Sequence, residues 1–223
     1  NITADSSILV NRTEPVVIYG DSHTITAGSS LGGSCFLVQG GASVEMQDLT
    51  IEYGIYGVEV EDSQLTLTNT TVGAGVSVNA VNANASIQTT AANVGTCILL
   101  TSANGCNTSA VISSGSTITD IAKSANSEGT DSVTITEGST VGSVSGDVVE
   151  VINGSTVNGD VVGKTSVRTT DGVTITGNVL GGAITVEGGT ISGNVTGDSV
   201  QVTGGTIGGK ITPAYQAIYA KGE

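Results

Sequence analysis

Residues 188–198 read Gly-Gly-Thr-Ile-Ser-Gly-Asn-Val-Thr-Gly-Asp. Paired glycines lead into a β-branched pair, a Gly-Asn turn follows, and a second β-branched pair closes the phrase. Glycine and asparagine suit tight turns, while valine, isoleucine and threonine suit a pleated surface. The phrase recurs at Gly138-Ser139-Thr140-Val141, Gly154-Ser155-Thr156-Val157, Gly172-Val173-Thr174-Ile175 and Gly205-Thr206-Ile207. Its threonines stand at 140, 156, 174, 190 and 206, spaced by 16, 18, 16 and 16 residues. That period is too short for helical repeats and suits one coil of a β-solenoid per repeat.

Each unit carries a second apolar pulse, as in Val148-Val149-Glu150-Val151, Ala183-Ile184-Thr185-Val186 and Ser199-Val200-Gln201-Val202. Alternation over three or four residues marks a short strand with one face buried. The expected fold is all-β: a right-handed, single-stranded parallel β-helix of roughly a dozen rungs, a rod about 55–60 Å long. Val141, Val157, Ile175, Ile191 and Ile207 are expected to stack in one interior column.

Working outward, Thr24-Ile25-Thr26, Val44-Glu45-Met46, Leu49-Thr50-Ile51, Val58-Glu59-Val60 and Leu65-Thr66-Leu67 follow the same grammar with looser spacing. Tyr53-Gly54-Ile55-Tyr56-Gly57 and Glu61-Asp62-Ser63 read as turns. A single domain over 1–223 is expected, with 130–212 its most regular repeats and 79–127 its least regular rungs, carrying looped-out corners. The tail 213–220 reads as a last or truncated rung, and the strands at 7–10 and 15–19 as an N-terminal β-cap.

Composition narrows the function. Acids outnumber bases 20 to 6, a formal charge of −14. Such a surface repels phosphate backbones and anionic membranes, so neither nucleic acid nor membrane insertion is expected. No apolar run approaches the ~20 residues of a membrane span. The chain begins at Asn1, which reads as a processed or excised segment. Cys97 and Cys106 bracket eight residues, a short loop that a disulfide could close. Two buried thiols are the alternative. The disulfide is the expectation, and with it an oxidising compartment. Cys35, in Ser34-Cys35-Phe36-Leu37-Val38, reads as a core position. No cofactor and no metal are expected, since His23 is the sole histidine.

The rungs at 188–198, and residues 130–212 generally, resemble the passenger domains of bacterial autotransporter adhesins, of the self-associating AIDA and antigen 43 kind. The resemblance implies a secreted, cell-surface β-helix with few, closely spaced cysteines. It implies adhesion or self-association, as in biofilm formation or virulence, with partners that are other copies of the chain or a host-surface protein or glycan.

Catalysis is not expected. Aromatic residues total 3 %, there is no tryptophan, and the arginines are only Arg12 and Arg168. A carbohydrate-active β-helix of the tailspike or pectin-lyase kind is the alternative, with Asp147, Asp160 and Asp171 on neighbouring rungs as the acids from which a hydrolase pair could form. Glu59, Glu61 and Asp62 form the densest acid cluster and the one place to look for calcium. An ice-binding solenoid is a third option, from the Thr-Ile-Thr triplets at 24, 117, 134 and 174. The expected working surface follows the Thr-Val/Ile pairs. Asn158, Thr176 and Ser192 should form one outward column, and Asp160, Asn178 and Asn194 should line the adjacent corner.

Overall fold

The structure, a computed structural model, describes residues 1–28 and 32–219, with side chains through Tyr215. Ala220 of the expected last rung lies outside the described residues. The described chain is all-β, without a helix, and its 23 strands belong to one sheet. Every pairing is parallel, and each strand pairs with the equivalent strand one repeat before and one repeat after. The final strand, Ile211–Tyr219, pairs with Val195–Val202 in this way.

Three ladders recur in fixed order along the chain. The first is carried by the Thr-Val/Ile pairs. Its inward column runs Ile2, Ile25, Ile51, Val72, Val94, Ile118, Val141, Val157, Ile175, Ile191, Ile207. The column expected from Val141 to Ile207 is thus the C-terminal part of one that reaches the first strand. Beside it, a column of small polar residues runs from Thr24 to Thr206, threonine at each level except Asn93. The second ladder stacks Phe36, Val58, Val76, Ile98, Ile121, Val144, Val161, Val179 and Val195. The third stacks Val44, Leu65, Ile87, Ala110, Val133, Val149, Val167, Ile184 and Val200. Apart from the exposed Ile2 and the partly buried Ile207 at the two ends, these residues are buried from solvent in one continuous cluster. Each such side chain contributes roughly 1.5–3 kcal/mol by leaving water.

The change of period has a local cause. In the N-terminal part the second ladder is long, residues 98–102 for example, and an excursion at 103–106 leads to the third. The equivalent excursions are 81–84 and 124–129. From Val144 onward the second ladder shortens to stretches such as 161–163, and a bulge between Gly163 and Ser166 joins it directly to the third. Strands in 79–127 pair with their neighbours on both sides despite the loops, with one register shift between Val94 and Cys97.

Lys123 sits where the two repeat lengths meet. Its register partner in the preceding repeat is the buried Leu100. In place of a methyl contact, Lys123 Nζ lies 2.7 Å from Asp131 Oδ2 and 2.8 Å from Asp147 Oδ2. The Asp131 side chain is fully buried. It accepts hydrogen bonds from the hydroxyls of Ser102, Thr108 and Ser127, and its own N–H donates to Asp147. Burial alone would raise the Asp131 pKa, but these donors and the ammonium hold it below the ordinary carboxylate value.

Candidate functional site

The turn from the first ladder to the second is three residues long in the C-terminal repeats: Asn158-Gly159-Asp160, Thr176-Gly177-Asn178, Ser192-Gly193-Asn194 and Gly208-Gly209-Lys210. The structure stacks these turns. The residues after the Thr-Val/Ile pair donate their N–H groups to the preceding level: Asn158 to Val141, Thr176 to Val157 and Ser192 to Ile175. Thr176 Oγ1 also donates to the Asn158 carbonyl at 2.7 Å. Asn158, Thr176 and Ser192 therefore form one column, and all three are exposed.

The second column is tied more tightly. Asp160 Oδ1 accepts the Asn178 N–H at 2.6 Å and Asn178 Nδ2 at 3.1 Å. Asn178 Oδ1 accepts the Asn194 N–H at 3.0 Å and Asn194 Nδ2 at 3.2 Å. Asn194 Oδ1 accepts the Lys210 N–H at 2.8 Å. Each link contributes about 0.5–1.5 kcal/mol net. Part of the hydrogen-bonding capacity expected to meet another molecule is thus spent bracing the turns themselves. Asp160 and Asn194 stay exposed and Asn178 is half-buried.

Glycine makes the stacking possible. A Cβ on Gly177 would sit 2.4 Å from the Gly159 carbonyl carbon, and one on Gly193 would sit 2.3 Å from the Gly177 oxygen. Only hydrogen fits between the two polar columns. The result is a narrow, nearly flat corner with small polar groups on either edge.

One neighbour escaped the sequence reading. Val162 and Leu180 pair in register on the outward side of the second ladder and are 39 % and 40 % exposed. The signal was present as an apolar residue directly after the inward Val161 and Val179, where alternation calls for a polar one.

Other expected groupings do not form. Cys97 and Cys106 are free thiols. The residues between them are no loop: 98–102 run extended in the second ladder. Cys97 opens this extended run and Cys106 ends the turn beyond its far end, so the strand between them holds the two thiols apart, whereas a disulfide needs Cα atoms within about 4.4–6.8 Å. The disulfide expectation is therefore corrected, and its argument for an oxidising compartment falls with it. Burial and the Asp120 charge raise the Cys97 pKa. Cys35 is in the core, as expected, and burial raises its pKa.

Asp147, Asp160 and Asp171 stand on three different corners. Asp147 enters the interior cluster with Lys123, Asp160 the ladder just described, and Asp171 the turn leading back to the first ladder. Their separations of 13 and 11 residues are shorter than the repeat spacings of 16 and 18, so each falls at a different point of the repeat. In the acid cluster, Asp62 accepts the N–H groups of Val81, Asn82 and Ala83, and these bonds lower its pKa against burial, which raises it. Glu59 accepts from Ser34 and Asn79. Among the described residues no group of three His, Cys, Asp or Glu side chains converges as a metal site. The Thr-Ile-Thr triplets fall on two ladders, since Thr134 and Thr136 belong to the third and the other triplets to the first.

Comparison with protein families, with curated proteins and with solved structures finds no match to this chain.

Proposed function

We propose that the chain is a right-handed parallel β-helix that acts at the surface of a bacterial cell as an adhesin or self-association module, through the corner formed by Asn158, Asp160, Thr176, Asn178, Ser192 and Asn194. Parallel pairing at a recurrent offset supports the coil, and parallel strands of one sheet connect right-handedly in nearly all proteins. The observation that carries the functional reading is the corner itself. It presents repeated small polar groups at each level, with no bulky side chain between the columns and exposed Val162 and Leu180 alongside. Contacts of this kind are weak singly and sum along the stack when two surfaces carry many copies. Export from the cell and the autotransporter resemblance rest on the repeat grammar of 130–212.

The test is display of the segment on bacterial cells, scored by sedimentation. Wild-type cells should clump. Asn158→Lys, Thr176→Lys and Ser192→Lys, combined on the exposed column, should abolish clumping while the circular-dichroism spectrum stays β-rich. Undiminished settling of the triple variant would remove this face from the proposal. Dispersed wild-type cells, with soluble protein monomeric at high concentration, would remove self-association.

A further inference from the structure

We infer that the N-terminal end of the same corner is a binding groove for an extended segment of a partner protein carrying basic residues beside an apolar one. Here the turn between the first and second ladders is enlarged to Tyr53-Gly54-Ile55-Tyr56, and it walls a cavity of about 540 Å³ with Ala74 opposite. Tyr53 and Ile55 are 69 % and 66 % exposed, large apolar groups where the turns of the next two levels carry Ala74 and Thr96. The next two levels carry only small residues at this corner. A Cβ on Gly75 would lie 2.8 Å from the Cys97 carbonyl oxygen and 3.2 Å from Tyr56 Cδ1, so glycine leaves the space that the tyrosine ring borders.

The groove continues along the corner. Cys97 lines this cavity and also a second one of about 420 Å³, which extends to Asp120, Ser143 and Asp160. From the level of Ile51 to that of Val157 there are five ladder spacings, about 24 Å at ~4.8 Å each, the reach of roughly seven extended residues. The charge is one-sided. Glu52, Asp120 and Asp160 line the two cavities, and among the described residues no lysine, arginine or histidine does. A partner of complementary potential is cationic, and tyrosine faces attract cations as well as apolar groups. Acids without cations favour a basic peptide over a neutral glycan. This goes beyond self-association through 158–194: the groove meets that corner at Asp160, but Tyr53 and Ala74, on which its test rests, lie outside it.

The chain has no tryptophan, so a tryptophan-bearing probe reports without background. The intact protein is titrated with the heptapeptide acetyl-Lys-Trp-Leu-Ser-Gly-Arg-Lys-amide and with a twin in which glutamate replaces each basic residue. The basic peptide should show a saturable indole emission change that weakens with added salt, and the acidic twin none. Tyr53→Ala and Ala74→Arg should each weaken binding by roughly tenfold or more, with an unchanged thermal midpoint and unchanged cell clumping. Three results would overturn the inference: equal binding of the acidic twin, wild-type affinity in both variants, or displacement of the peptide by an equal concentration of a neutral hexasaccharide.

Discussion

Replacing Lys123 by methionine keeps the length and the apolar stem but removes the charge between Asp131 and Asp147. Its Nζ lies within 2.8 Å of both carboxylates. Asp131 keeps its bonds from Ser102, Thr108 and Ser127, yet two carboxylates are then left facing each other in the interior. Breaking a buried ion pair by removing one partner costs about 3–5 kcal/mol. With a urea slope near 2 kcal/mol/M, the unfolding midpoint should fall by roughly 2 M. The loss should depend on pH with a definite sign. The Asp131 pKa in the folded protein is depressed, so its contribution is complete above the unfolded value near 3.8 and lost as pH falls through the lower folded value. The gap between wild type and Lys123→Met should therefore narrow at pH 3. Adding Asp131→Asn and Asp147→Asn should recover part of the loss at pH 7, because no bare charge then remains. Urea unfolding followed by circular dichroism at both pH values reads all of this. An unchanged or raised midpoint for Lys123→Met at pH 7, or a gap that persists undiminished at pH 3, would refute the reasoning.

Ile191→Asp puts a carboxylate at a fully buried level of the first ladder; it should eliminate cooperative unfolding or cost at least several kcal/mol, read by the same urea titration. Asn178→Ala removes both the acceptor for Asn194 and the donor to Asp160, and should cost about 1–3 kcal/mol in the same assay. Thiol titration of the unreduced, denatured protein should count Cys35, Cys97 and Cys106 as reactive; a count of one would restore the disulfide. At the alkaline end, burial lowers the Lys123 pKa but bonds and charge from Asp131 and Asp147 raise it further, to a net value above 10.5. Its contribution is complete below 10.5 and should disappear as pH rises through the folded value, which alkaline unfolding curves of wild type and Lys123→Met would detect.

Much of the architecture was legible before any coordinates. The inward column from Val141 to Ile207 and the two polar columns at 158–194 follow from a spacing that barely varies, because a fixed period leaves one register that keeps every β-branched residue inside. The same argument faltered wherever the period changed. Asp147, Asp160 and Asp171 looked like neighbours because they fall on adjacent repeats, but separations of 13 and 11 residues, shorter than one repeat, set them on different corners. Cys97 and Cys106 looked like the ends of a loop because Ile98-Leu99-Leu100-Thr101-Ser102 carries two adjacent leucines instead of a clean alternation. Leu99 lies outward between inward Ile98 and Leu100, and apolar outward residues hide a strand from a pattern search.

The sequence by itself determined the strand content, the parallel stacking of like residues and the identity of the corner ladder. All three depend on local chemistry repeated at near-constant intervals. Only the tertiary structure decided what fills the exceptions. Lys123 meets Asp131 and Asp147 from 8 and 24 residues away, and Tyr56 borders the space left by Gly75 on the next level. Such contacts run between levels and across corners, where distance along the chain no longer measures distance in space.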